Sequence, residues 1–128
     1  MAKITVSEDC GNSPKKLHLK KFNIAFVKND RTFINQNVTD DISWNMVGEK
    51  HRQGKEQVAA ELKKMRSMDI TELVIHNIIT HGYNGTTNGL LKFKGGVTLA
   101  FCDVYTFSSP RNNAKIKGIT SYVIEVKA

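Results

Sequence analysis

The run Val97–Phe107 carries one acid on a face that is otherwise apolar. Every second residue reads Val97, Leu99, Phe101, Asp103, Tyr105 and Phe107, and the other face reads Thr98, Ala100, Cys102, Val104 and Thr106. A strand points alternate side chains to opposite sides, so Asp103 lies between Phe101 and Tyr105. An ionised carboxylate is costly there unless paired, and it can hold its proton instead. Two roles fit such a group. It is either a ligand-contacting acid or base in an apolar pocket, or a structural carboxyl satisfied by Tyr105, Ser121, Asn45 or a buried water.

Other chemistry is poorly supplied. His76 and His81 are five apart, which sends them to opposite faces of a strand, and His18 and His51 have no histidine or cysteine at ligand spacing. No metal site is expected. Glu49 and His51 read as a solvated pair in a turn. No Ser–His–Asp or Cys–His arrangement marks a nucleophile. No glycine-rich loop follows a strand and opens a helix, since Gly95-Gly96 joins two strands, so no cofactor is expected.

The elements that must position Asp103 follow from periodicity. Ser13 then Pro14 starts a helix through a capping hydroxyl and a proline in the first turn. Leu19, Phe22, Ala25 and Phe26 give it a buried stripe to about Lys28. Asp30 caps a second helix to about Gln36. A strand is expected over 41–47, with Ile42, Trp44 and Met46 on one side and Ser43 and Asn45 on the other. Gly48 opens a turn. Gly54 precedes a third helix carrying Val58, Leu62 and Met65, which ends near Ser67. Beyond Ile70 the period becomes two, and strands are expected over 71–81, 86–93, 97–107 and 115–126. Gly82–Gly85 and Lys94–Gly96 have hairpin-turn composition.

This order predicts an α+β fold: a cone-shaped, curved antiparallel sheet whose concave face is covered by three helices from the N-terminal half. The chain of 128 residues divides into a mobile leader, 1–12, and a single domain, 13–128. Thr120, Tyr122 and Ile124 would face outward and invite a second copy, giving a homodimer through the outer sheet face.

The formal net charge is +7. Lys15, Lys16, Lys20 and Lys21 cluster on the first helix, but no aromatic residues interleave with them, so they read as a solvated face and no nucleic-acid partner is expected. No apolar run reaches the length of a membrane span, and the first residues lack the apolar core of a signal peptide. A cytoplasmic protein is expected. Cys10 and Cys102 offer no disulfide framework, in keeping with a reducing compartment.

Two groups of strings carry a resemblance. The first is Trp44-Asn45-Met46-Val47-Gly48, then Arg52-Gln53-Gly54-Lys55-Glu56. The second is Phe101-Cys102-Asp103-Val104-Tyr105-Thr106-Phe107, then Ile116-Lys117-Gly118-Ile119-Thr120-Ser121-Tyr122. In this element order, from about Pro14 to Val126, the chain resembles the nuclear transport factor 2-like superfamily. That superfamily includes ketosteroid isomerases and SnoaL-like polyketide cyclases. The resemblance implies a cone with an internal pocket, and it speaks to fold more than to chemistry.

Within the ketosteroid isomerase pattern, the resemblance aligns Asp103 with a protonated acid of the oxyanion hole. It aligns Asn45 with the proton-shuttling aspartate and Phe22 with the oxyanion-hole tyrosine. An amide cannot act as a general base, so isomerisation by that route is not expected. The expected pocket is lined by Phe22, Phe26, Asn45, Phe101, Asp103, Tyr105, Ile119 and Ser121. Three functions remain open: a domain binding a small apolar or partly polar molecule around Asp103; a cyclase, isomerase or hydrolase using Asp103 as general acid or base; or a structural dimer module with a filled core.

Overall fold

The computed structural model describes residues 2–7 and 13–127. Cys10 and half of the expected leader lie outside the described residues. Within that leader, however, Lys3–Val6 form strand β1, paired in parallel with β4 in the register Ile4↔Leu73. The sequence reading assigned these residues to the leader and expected no strand there. Lys3-Ile4-Thr5-Val6 alternates, and Ile4 and Val6 pack against the core.

Helix α1 spans Pro14–Lys28, with Ser13 accepting a hydrogen bond from the Lys16 amide. Asn29 ends it in the left-handed conformation, and its Nδ2 donates to the Leu62 carbonyl at 2.8 Å. This one residue both stops the helix and ties it to α3. Helix α2 is Arg31–Gln36, capped by Asp30. Strand β2, Val38–Met46, turns into β3, Lys50–Gln53, and α3 covers Lys55–Met65. Strands β4 (Ile70–His81), β5 (Asn84–Phe93), β6 (Thr98–Phe107) and β7 (Ile116–Glu125) complete the chain.

The seven strands form one curved, unclosed sheet in the order β1-β4-β5-β6-β7-β2-β3. The β4–β7 body is antiparallel, whereas β2 joins β7 in parallel. Register shifts within the β4–β5 and β6–β7 pairings bend it. Leu19, Phe22 and Ala25 of α1 and Val58 and Leu62 of α3 join Ile42, Ile75, Tyr105 and Ile116 of the sheet in one core. Among the described residues, no helix is long and apolar enough to cross a membrane.

Two local readings change. Lys50-His51-Arg52-Gln53 is a strand rather than a turn; it has no apolar alternation to announce it, as befits a charged edge. Its Lys50 and Arg52 hold the Glu61 carboxylate of α3 at 2.8 and 3.0 Å, fastening the helix to the β2–β3 hairpin. Lys15 is not on a solvated face. It is buried, with Nζ donating to the Gly82 carbonyl at 2.8 Å and lying 4.3 Å from the Phe107 ring centroid.

Candidate functional site

The helices do not fill the concave side of the sheet. A cavity of about 280 Å³ remains between α1, the β2 end and strands β4–β7. Phe22, Trp44, Tyr105 and Phe101 are buried members of its lining; Val47, Glu49, Met68 and Val123 are its exposed rim. Asp103 is only half-buried, and what reaches it is the cavity.

Strand register assembles the polar floor. Thr87 on β5 and Ser121 on β7 are the direct partners of Asp103 on β6, so the three form one row across the sheet. Tyr105 lies two residues along the same face. Its hydroxyl donates to Asp103 Oδ2 at 3.3 Å. It also contacts Thr87 Oγ1 at 3.2 Å and accepts from Asn23 Nδ2 at 3.1 Å. Trp44 Nε1 donates to Ser121 Oγ at 3.1 Å, and Ser121 in turn bonds the Asp103 carboxyl.

Counting protons fixes the directions. A phenol has one hydrogen, and the Asn23 amide can only give. If Tyr105 donates to Asp103, Thr87 must donate to Tyr105. Ser121, having accepted from Trp44, sends its own hydrogen to the acid. The network therefore converges on Asp103 as acceptor, yet among the described residues it brings no positive charge. Burial raises its pKa to about 6, and the Ser121 and Tyr105 hydrogen bonds hold back part of that rise. The Tyr105 phenol is pushed well above its usual value, first by burial and then by the neighbouring carboxylate. It stays protonated and remains a donor.

Of the residues singled out in the sequence, Phe22, Phe26, Phe101, Asp103, Tyr105, Ile119 and Ser121 line the cavity. Asn45 does not. It is exposed on the opposite face of β2, across from His51 in the hairpin. The alternation of Ile42, Trp44 and Met46 already placed it there; the spacing to Gly48 taken from the ketosteroid isomerase resemblance pointed the other way. Trp44 occupies the pocket face instead, with its ring edge-on to Phe26 at 6.0 Å. Asn23, Thr87 and Glu49 were not foreseen. Thr87 could have been found by counting back through the Lys94–Gly96 turn. Asn23 could have been found from its place four residues after Leu19 on the buried side of α1. Tyr122 and Ile124 are exposed on the outer face, as strand parity requires.

This cone with a concave internal pocket is the nuclear transport factor 2-like fold. The chain superposes on such a protein of unknown function from Cytophaga hutchinsonii with a TM-score of 0.70 and 24% identity, covering 86% of this chain and 99% of the other. A putative SnoaL-like polyketide cyclase from Shewanella denitrificans gives a TM-score of 0.71 at 11% identity, over 86% and 90% of the two chains. An epoxide hydrolase from Mycobacterium tuberculosis, described as LEH-like, gives 0.68 at 21%, over 84% and 76%. At these identities the likeness establishes the fold and leaves the activity to the site itself. No protein-family model and no curated protein matches the sequence.

Proposed function

We propose that the cone is a binding site for a small, mostly apolar molecule, with Asp103 and Ser121 as its polar contacts. The observation that carries this is the cavity of about 280 Å³ with a single hydrogen-bonded carboxyl at its floor. A void of this size argues against a purely structural module with a filled core. An apolar cavity of about 150 Å³ suffices to hold benzene, so a bicyclic molecule is the expected scale.

Trp44, the single tryptophan, lines this cavity and supplies the test. Neutral one- and two-ring compounds should change its emission saturably and raise the unfolding midpoint. At about a hundredfold excess over Kd the stabilisation is about 2.7 kcal/mol. A panel that leaves both signals unchanged would overturn the proposal.

A second reading makes Asp103 a general acid or base. It is favoured by the carboxyl pKa of about 6, near the value such a group needs at neutral pH. It requires a turnover that Asp103→Asn abolishes without loss of fold.

We further propose that the outer sheet face pairs with a second copy. Ile79, Ala100, Cys102, Tyr122 and Ile124 line a shallow hollow there, and among the described residues no charged side chain lines it. Ile124 is 71% exposed and Ile79 62%. Light scattering should give a dimer, and Ile124→Lys a monomer of unchanged fold; a monomeric parent protein would refute this. We place the protein in the cytoplasm, where the free Cys102 thiol on this face stays reduced.

A further inference from the structure

Resting on the ligand-binding reading above, we propose that the molecule held in the cone is an apolar amine, bound as its cation with the ammonium at Asp103. The argument is one of charge. The chain carries a formal net charge of +7, yet among the described residues the cavity lining holds Asp103 and Glu49 and no lysine, arginine or histidine. The only ionisable groups of opposite sign to a cation thus stand at the floor and the rim, with a path of apolar wall between them.

The floor is the more telling end. Among the described residues, every hydrogen bond that reaches Asp103 comes from a neutral hydroxyl, Tyr105 at 3.3 Å and Ser121. A desolvated carboxylate with neutral donors and no cation lacks the partner that stabilises it most. An ammonium group entering the cavity supplies that charge and three N–H donors. The walls suit it as well. Phe22, Phe26, Trp44, Phe93, Phe101 and Tyr105 surround the space, and aromatic faces attract cations while sheltering the ligand's ring system. An anionic ligand finds none of this. It would bring a second negative charge to Asp103 or force the acid to take up a proton.

The protonation state agrees with the geometry. With a pKa of about 6, Asp103 is ionised near neutral pH and is ready to pair with a cation. A neutral ligand needing a hydrogen bond from protonated Asp103 must first have that proton supplied, at a cost of about 25-fold in affinity near pH 7.4.

Three probes built on one ring system separate the possibilities: naphthylmethylamine, naphthalenemethanol and naphthoic acid, titrated calorimetrically and by Trp44 emission. The amine should bind about tenfold or more tightly than the alcohol at about pH 7.5, and the acid most weakly, because a charge-assisted hydrogen bond is about twice as strong as a neutral one. The amine should lose about tenfold on going to about pH 5, as Asp103 takes up its proton, while the alcohol should not weaken. Asp103→Asn should abolish the preference for the amine, whose binding should fall about tenfold or more to the level of the alcohol. The pH series on the unaltered protein tests the same point should that variant fold poorly. Alcohol or acid binding as tightly as the amine would overturn this inference and leave the pocket reading standing. Amine preference that survives in Asp103→Asn, or that does not weaken in acid, would also overturn it. Failure of all three probes to bind would overturn both.

Discussion

Gly89→Ala is expected to leave little folded protein. Gly89 lies in β5 opposite Ile75, beside the shift of register between Ile75 and Asn77 that helps to curve the sheet. A Cβ added there would overlap the Val74 carbonyl oxygen, with the Val74 carbonyl carbon at 2.8 Å and Ile75 Cα at 3.1 Å. These are backbone atoms of the neighbouring strand and cannot rotate aside. Either the β4–β5 ladder opens or its curvature is lost, and the cavity wall goes with it. The cost should exceed about 4 kcal/mol, a large part of the whole stability of a typical domain. Gly85→Ala is the internal comparison. Its Cβ would meet Leu19 Cδ1 at 2.8 Å and Phe107 Cε2 at 3.2 Å, both side chains able to give way. About 1–3 kcal/mol is expected there, the usual range for overpacking. Denaturant unfolding of the two variants checks the contrast. A Gly89→Ala protein as stable as Gly85→Ala would show that the strands can separate locally without loss of the fold.

That dependence on Gly89 was invisible in the sequence, where it is one glycine among nine. What makes it special is the backbone of another strand, and one-dimensional patterning carries no such distance. The same limit explains the other gaps. Periodicity placed α1, α3 and strands β4 to β7 because each buries a repeating apolar stripe against the core, and the Asp30 cap placed α2. It missed β3, whose Lys-His-Arg-Gln composition reflects an edge and not a core, and it missed β1, a strand of only four residues. Asp103 was legible because a lone acid in an apolar alternation costs free energy wherever the strand sits. Asn23, Thr87 and Trp44 acquire their roles only once α1, β5 and β2 converge on Tyr105 and Ser121. Asn45 shows which kind of inference was weaker. The parity of β2 is a steric property of this chain, and it prevailed over a spacing borrowed from a resemblance.

Asp103→Asn should make the protein more stable near neutral pH. The folded-state pKa of Asp103 is about 6, against an ordinary value of 3.8. The folded state thus binds this proton more tightly than the unfolded chain does. The stabilisation is fully present below about pH 3.8 and is lost as pH rises through about 6. Above that, ionised Asp103 destabilises the fold by up to about 3 kcal/mol, less where cavity water screens it, so about 2 kcal/mol is the working expectation. Asn keeps the shape and accepts from Tyr105 without the charge. Calorimetry at about pH 7.5 should show the variant melting several degrees higher, and the advantage should shrink towards about pH 5. The comparison must be between the two proteins at each pH. His18, whose pKa is lowered by burial and by Lys15 and Lys21, gives both of them a slope of the opposite sign. Glu61, held low by Lys50 and Arg52, loses its contribution only in stronger acid. A variant destabilised equally at both pH values would make Asp103 an ordinary structural partner of Tyr105 and Ser121. If instead removing the charge stabilises the domain, the carboxylate is not there for the fold. Stability is then given up at the floor of an open cavity, where a bound cation would restore it.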